Sequence, residues 1–505
     1  MLPRIDVFDW IGIGPRCDGA ARGLPLTVST DGRYPRTARR NRRYTRPQGD
    51  IHACHVEQHV ARAALAELAA QLAAVSYSAI GAAAQVATRQ RLLDTLAAAA
   101  LGQHTPEGRL LEGAERGRGA AHGSTCRLLT GAARSTEVDD IDLPGCTTVG
   151  AVVVPVAVTV AAARPVVVDG ALLSAVVAGY EAMTRLGRAI GGATLLYRGV
   201  WPTYVTAAFG AAATTARLLE LDAAATARAL ALALTRTANL PAAALTRFGY
   251  RYYVLGCAAA DGCDAALAAA AGVDADLDAL VAFAERLGAT LDLAELAASF
   301  GAPWRVAGVD TKPWPTSRQT LASVAAFRQL TLPPLDEIER ISVSVPLVYR
   351  AMIDRPSPPA NRIESMLSVQ YQLGLAAFAP ATLDDALRES LPHDTRIAAL
   401  MLKVHVRADD DLGAQFPRVW GSRVTLEPRV GSPVTVEVLA PPGSGTRALA
   451  WAELTAKLDR VFAASGLNAD ARVAALAARC GRLGTGEGSD AARELLELTE
   501  ELAHA

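Results

Sequence analysis

The sequence of 505 residues almost lacks lysine. Lys312, Lys403 and Lys457 are the only lysines among 50 basic residues, and all the others are arginines. Arginine stays protonated in proteins, whereas lysine is a compact charge that can lose its proton when it is desolvated. The lysine retained in "AGVDTKPWPTSRQT", residues 307–320, therefore marks Lys312 as a candidate functional residue.

The sequence has no excess of charge and no disulfide pattern. The net charge is −1, with 20% charged and 51% hydrophobic residues. This balance favours a soluble globular protein and argues against nucleic-acid binding as its main role. The seven cysteines are scattered and odd in number, which predicts reduced thiols in a cytoplasmic protein.

No apolar run is long enough to predict a membrane span. The most apolar segment, residues 149–168, is interrupted by Arg164 and contains Pro155 and Pro165. A membrane-spanning helix needs about 20 apolar residues, so we expect a buried core segment with breaks at the prolines. The charged residues near the N-terminus argue against a signal peptide.

Four segments differ in their patterns. Residues 1–50 are basic and lack apolar periodicity, which predicts a disordered arm. Residues 51–308 are alanine-rich with helical spacing and predict the first part of a helical domain. Residues 309–445 contain alternating stretches such as "IERISVSVPL" between helical ones, which predicts a smaller α+β domain. Residues 446–505 are helical again, and we expect them to return to the helical domain.

Several stretches resemble the MmgE/PrpD family, among them "DDIDLPGCTTVGAVVVPVAVTVA", "KPWPTSRQTLASVAA" and "SMLSVQYQLGLAAFA". That family includes 2-methylcitrate dehydratase, cis-aconitate decarboxylase and iminodisuccinate epimerase. The resemblance covers residues 55–505. It implies a mostly α fold with an α+β lid, an active site between the two domains, and a homodimer.

The histidines that the resemblance would place in the active site are absent. Thr148 and Trp201 stand at two of their positions, and Arg251 begins the stretch that matches a lysine–arginine–leucine–histidine motif. None of the eight histidines lies between residues 122 and 393. A mechanism that uses several imidazoles from this span is therefore excluded.

The remaining candidates fit chemistry at a carbon beside a carboxylate, which needs a base for the proton and cations for the developing charge. Lys312 would supply a point charge or a proton, Tyr371 a general acid, and one of Asp139 and Asp140 the base. For each there is an alternative role: Lys312 could be a surface lysine, Tyr371 a core tyrosine, and the aspartates loop-solvating acids. The residues predicted to bind the substrate are Arg251, Arg318, Trp201, Thr148 and Ser317.

The stretch "HACHVEQH" contains several potential metal ligands. His52, His55 and His59 could share a helical face with Cys54 beside them, and three such ligands can hold zinc. The stretch lacks the glutamate of a helical zinc protease motif and adjoins the basic arm. We predict no metal and no organic cofactor.

Three functions are compatible with these residues. The first is a cytoplasmic lyase or isomerase that activates a carbon beside a carboxylate or carbonyl, with a dehydration or elimination in a specialised biosynthetic pathway. The second is a citrate-like polycarboxylate dehydratase or decarboxylase with a rearranged base. The third is a non-catalytic relative whose cleft is filled by Trp201. The predicted partners are a small-molecule substrate and a second copy of the chain, with no nucleic acid and no membrane.

Overall fold

The computed structural model describes residues 48–116, 122–165, 167–237, 249–301, 303–388, 391–392, 394–484 and 490–504, with side chains from residue 58 onward except that of His122. Residues 52–505 form one compact unit. The predicted disordered arm lies outside the described residues, apart from residues 48–50 at the start of the first helix.

The described residues are 64% helical, with 22 helices and a small four-stranded sheet in the C-terminal region. This confirms the predicted mostly α fold with a small α+β part. The helices are α1 Gln48–Ala74, α2 Ala82–Gly102, α3 Pro106–Arg116, α4 His122–Ser135, α5 Gly150–Ala162, α6 Asp169–Ala189, α7 Gly192–Leu196, α8 Pro202–Leu218, α9 Ala223–Thr235, α10 Tyr250–Ala270, α11 Ala279–Leu287, α12 Leu293–Ala297, α13 Arg318–Phe327, α14 Leu347–Ile353, α15 Arg362–Leu367, α16 Val369–Phe378, α17 Pro380–Asp384, α18 Thr395–Met401, α19 Asp410–Gln415, α20 Trp451–Ala464, α21 Asp470–Arg482 and α22 Ala491–Ala503.

Small residues let the helices of the first part pack closely. Helix α10 packs against α4, α8 and α9, and α6 packs against α8. At Gly262 a Cβ atom would lie 2.2 Å from the carbonyl oxygen of Ala208, so only glycine permits this approach of α10 to α8. Helix α10 is the one described helix long and apolar enough to cross a membrane, and 56% of its most apolar window is buried inside the fold.

Helix α5 contains most of the apolar segment of residues 149–168. Pro155 lies inside this helix, so the expected break at this proline does not occur. Residues 150–159 are all buried, and α5 packs against α4, α6 and α8. The segment is thus an interior helix whose neighbours hold it in place despite the hydrogen bond that proline cannot donate.

The four strands form one mixed sheet in the order β2-β1-β3-β4. Strand β1 pairs in parallel with β2 and antiparallel with β3, and β3 and β4 form a hairpin. In this hairpin Gly431 has a φ of +114°, a conformation that favours glycine. Helix α13 packs against β3 and β4. The strands are β1 Ile338–Val345, β2 Val404–Ala408, β3 Ser422–Pro428 and β4 Val434–Val438.

The C-terminal helices pack on the first helical part. Helices α20, α21 and α22 all contact α2, and α22 also contacts α5. In this contact the buried Lys457 ammonium on α20 donates to Asp94 Oδ1 of α2 at 2.6 Å and to the carbonyl oxygen of Val138 at 3.1 Å. The C-terminal helices thus contact the first helical part, and the predicted domain organisation with its boundaries stays a prediction.

Candidate active site

A small cavity lies where α4, α8 and α10 meet the segment that carries Lys312. Its volume is about 40 Å³, enough for a few water molecules, since each needs about 10–15 Å³. Helices α14 and α15 line it from the side of the α+β part. The lining residues are Arg134, Glu137, Ile141, Cys146, Thr148, Leu196, Trp201, Arg251, Lys312, Ser317, Arg318, Gln319, Met352, Ile363, Met366 and Leu367.

Glu137 is the centre of the charged side of the cavity. Its Oε2 lies 2.7 Å from Arg134 Nη1 and 3.2 Å from Lys312 Nζ, and its Oε1 lies 2.6 Å from Arg251 Nη2. Burial opposes its ionisation, but these three cations outweigh burial and hold the pKa of Glu137 well below its usual range. Glu137 is therefore a carboxylate that organises cations.

The backbone of Glu137 is unusual. Its φ is +58°, a left-handed conformation that residues other than glycine seldom adopt. The Glu137 carbonyl accepts a hydrogen bond from the amide of Thr316 at 3.2 Å, which joins it to the Lys312 segment. Such conformations persist only where the surrounding contacts fix them.

Lys312 is buried, with 2% of its surface exposed. Its ammonium donates to Glu137 and, at 3.0 Å, to Asp139 Oδ1. Backbone hydrogen bonds hold its segment: Asp310 pairs with Ile141, and the Thr311 amide donates to the Gly443 carbonyl at 2.7 Å. The ammonium is thus fixed as a point charge between two carboxylates.

Asp139 and Asp140 point to different places. Asp139 Oδ1 contacts Lys312 and Arg134, whereas Asp139 Oδ2 is buried without a hydrogen-bond partner among the described residues. Asp140 accepts hydrogen bonds from the Gly150 amide at the start of α5 and from the Tyr180 hydroxyl. Burial raises the pKa of Asp140 to about 6. Neither aspartate lines the cavity, but Asp139 contacts two of its cations, whereas Asp140 contacts none of them.

Arg251 and Trp201 form an aromatic side of the charged cluster. The Arg251 guanidinium lies 5.5 Å from the centroid of the Trp201 ring and 4.7 Å from that of Tyr252, distances typical of cation–π contacts. Arg251 Nη2 also donates to the Tyr252 hydroxyl at 2.6 Å. Trp201 directly precedes α8 and packs edge-on against Tyr204, so the indole occupies space that a smaller side chain would leave open.

Arg318, Ser317 and Thr148 also line the cavity. Arg318 Nε and Nη2 donate to Asp310 Oδ2 at 3.0 and 2.8 Å. Its Nη1 is buried without a partner among the described residues, as are Arg134 Nε and Arg251 Nε. Three arginines of one cavity wall thus each keep an unused nitrogen donor, which is unusual because buried polar groups are normally hydrogen-bonded.

Tyr371 does not line the cavity. The side chain is buried on α16, and its hydroxyl has no hydrogen-bond partner among the described residues. Burial raises its pKa, while the nearby Arg388 guanidinium opposes this shift. The structure therefore does not join Tyr371 to Lys312, as the predicted acid–base pair would require.

Sequence reasoning missed three residues of this site. Glu137 pairs with Arg251 and Lys312, and Asp310 pairs with Arg318. Arg134 is a fourth cation that pairs with Glu137, and none of the three missed residues was a candidate. The stretch "RSTEVDD" carried one usable signal, because Arg134 and Glu137 are three residues apart and can pair locally. The contact of Glu137 with Arg251 spans 114 residues and has no local signal.

The metal alternative gains no support. Among the residues that the structure describes, no group of three or more His, Cys, Asp or Glu side chains could hold a metal ion. The side chains of His52, Cys54 and His55 lie outside the described part of the chain, and His59 is exposed. The prediction that no metal is bound stays a prediction.

Comparisons with known proteins agree with the fold. The profile of the MmgE/PrpD N-terminal domain matches residues 66–289, and that of the MmgE/PrpD C-terminal domain matches residues 314–483. No curated protein matches the chain at the significance required. The two profiles together cover most of the chain, and the Lys312 segment lies at their junction. The protein belongs to the MmgE/PrpD family.

Proposed function

We propose that the protein is a lyase or isomerase that removes a proton from a carbon beside a carboxylate, with elimination of water or a related group in a specialised biosynthetic pathway. The observation that carries the proposal is the buried set of cavity cations, three of which keep an unused nitrogen donor. Such donors suit the two oxygens of a carboxylate. Family membership indicates an enzyme of the dehydratase or lyase type.

Lys312 stabilises the charge and supplies a proton in this proposal. When a proton leaves the carbon beside a carboxylate, negative charge moves onto the carboxylate oxygens. A buried ammonium stabilises this charge strongly, because the site excludes water and the donor is already oriented. The ammonium also donates the proton that turns a departing hydroxide into water.

Asp139 is the proposed base. Its Oδ2 atom has no hydrogen-bond partner among the described residues, so it is free to accept a proton. Glu137 is less suited, because its three cations hold its pKa well below its usual range. The balanced step is proton transfer from carbon to Asp139, formation of the double bond, and loss of hydroxide with the proton of Lys312. No step is assigned to Tyr371 or Asp140, since neither contacts Lys312 or another cation of the cavity, whereas Asp139 contacts Lys312 and Arg134.

One observation favours the non-catalytic alternative. The cavity volume of about 40 Å³ is too small for an organic acid, so binding requires the wall to move. If Trp201 filled the cavity permanently, the protein would bind no substrate.

Solvent deuterium exchange at the carbon beside the carboxylate tests the proposal. The purified protein is incubated with a panel of hydroxy acids in deuterium oxide and followed by NMR, which also detects elimination. We expect Lys312→Arg and Asp139→Asn each to slow the reaction by about 10²–10⁴-fold, the usual effect of losing a positioned acid or base. Lys403→Arg is the matched control, because it makes the same change outside the cavity.

Two outcomes contradict the proposal. If the wild type reacts and Lys312→Arg reacts equally well, a lysine is not needed at this site. If no acid reacts with the wild type, the non-catalytic alternative is favoured.

A further inference from the structure

The charge balance of the cavity leaves room for one negative charge. Four cations line it, namely Arg134, Arg251, Lys312 and Arg318. Three carboxylates contact these cations, namely Glu137, Asp139 and Asp310. The difference of four and three gives a net charge of +1. A single carboxylate would neutralise it, whereas a second or third would be buried without its own cation, which is strongly unfavourable.

Apart from the four cations and Glu137, most of the cavity wall is apolar. Its aliphatic, sulfur-containing and aromatic side chains include Leu196, Trp201, Met352, Ile363, Met366 and Leu367. This wall offers no charged partner to a second carboxylate, but it matches an aliphatic or aromatic substituent. Met352 and Met366 are unbranched, so they can change rotamer to admit such a group.

We infer that the substrate is a monocarboxylate that carries an apolar, branched or aromatic substituent and one further oxygen near the reacting carbons, rather than a polycarboxylate. This inference rests on the proposed function, whose site it specifies. The carboxylate takes the unused donors of the arginines, the further oxygen is the leaving hydroxyl, and the substituent packs against Trp201 and the methionines.

A matched series of 3-hydroxy acids separates the two classes. The compounds share the skeleton ⁻OOC–CH₂–CH(OH)–R and differ only in R, which is phenyl, isopropyl or a second carboxylate, the last being malate. Binding to the full chain is measured by isothermal titration calorimetry, and solvent exchange is followed on the same samples. We expect the phenyl and isopropyl acids to bind about 10–100-fold more tightly than malate, the fold-change expected from burying such a group.

The variant Asp310→Asn tests the charge balance of the cavity. Its readout is the ratio of two ligand affinities, which misfolding alone would not change in favour of one ligand. In Asp310→Asn the cavity gains one positive charge while the side-chain oxygen that accepts from the Gly445 amide is kept. The ratio of malate affinity to phenyl-acid affinity is expected to rise at least about 5-fold, since Arg318 becomes free for a second carboxylate. Glu427→Gln on the sheet is the matched control, because it removes one negative charge far from the cavity.

The outcomes distinguish the proposed function from the inferred substrate class. Tighter binding of malate than of the apolar acids by the wild type overturns this inference, and exchange with malate alone would still support the proposed function. Tight binding of the apolar acids without exchange or elimination contradicts the proposed function and keeps the ligand class. If no acid of either class binds, both are overturned.

Discussion

Glu137 joins three cations that would otherwise repel one another in a buried site. Only 6% of its surface is exposed, so water does not replace it as a partner for Arg134, Arg251 and Lys312. Removing one partner of a buried ionic cluster leaves the others unpaired in a medium that solvates them poorly. The stability of the fold and the geometry of the cavity therefore depend on the same carboxylate.

We expect Glu137→Gln to lower the free energy of unfolding at pH 7 by about 3–5 kcal/mol, as when a buried ion pair loses one partner. The folded-state pKa of Glu137 is depressed, so its contribution is present at neutral pH and is lost as the pH falls below the range of ordinary carboxylates. Urea denaturation at pH 7 measures the loss. A loss no larger than that of the surface variant Glu427→Gln would contradict the prediction.

Ionisation of Asp140 should lower the free energy of unfolding as the pH rises, whereas that of Glu137 raises it. Burial raises its pKa to about 6 from an ordinary value of 3.8, so the folded state binds this proton more tightly than the unfolded state. Its effect is therefore small below pH 4 and destabilising as the pH rises through 6. We expect Asp140→Asn to become more stable relative to wild type between pH 4 and 7. Urea denaturation at several pH values tests this, and a constant difference would contradict it.

Among individual residues, the sequence indicated Lys312 but not the side chains that contact it. The rarity of lysine and the resemblance pointed to Lys312, and the structure places it in the cavity wall. Glu137 could not be predicted, because its role depends on a left-handed backbone and on a distant arginine. Tyr371 was chosen by the resemblance alone, and its burial on α16 depends on packing that no local pattern describes.

Local sequence patterns predicted whether a segment is a helix or a strand better than they predicted which strands pair. The alternation in "IERISVSVPL" predicts the strand found at Ile338–Val345. Asp222 is a residue type that favours helix starts, and it caps α9 by accepting from the Ala225 amide at 2.7 Å. The stretch "ESMLSVQYQLGLAAFA" forms two helices, because the Ser368 side chain caps the second. The parallel pairing of β1 with β2 depends on a connection of 58 residues between the strands, for which the sequence has no local signal.

The contact of α20 with α2 includes a buried ion pair, that of Lys457 with Asp94. We expect Lys457→Met to cost about 3–5 kcal/mol, because it leaves Asp94 buried without its cation. The double variant Lys457→Met with Asp94→Leu is expected to lose about half as much or less, since a buried pair can be replaced by apolar residues. Denaturation of both variants gives the coupling between the helices.

The control for this prediction is the exposed pair of Arg62 with Asp278, where the same kind of change should have little effect. Equal losses in the single and double variants would contradict the prediction. They would show that α20 is held by its apolar residues instead.

For the whole molecule, the predicted homodimer stays a prediction. Several large apolar side chains of the helical part are exposed, including Val60, Val86, Val168 and Leu267, and a second copy of the chain would cover them. We expect light scattering during size-exclusion chromatography to give twice the chain mass at micromolar concentration. A monomer at this concentration would contradict the prediction.

The small number of lysines and the burial of two of them also determine how the protein reacts with amine-specific reagents. Lys312 and Lys457 have 2% and 1% of their surfaces exposed, while Lys403 is half-buried at the edge of the sheet and donates to the Ile338 carbonyl. An N-hydroxysuccinimide ester should therefore modify Lys403 ahead of the other two lysines in the native protein, which mass spectrometry can locate. A fluorophore at that position would mark the α+β part at one lysine. Native modification of Lys312 as fast as that of Lys403 would show that the cavity opens to reagents in solution.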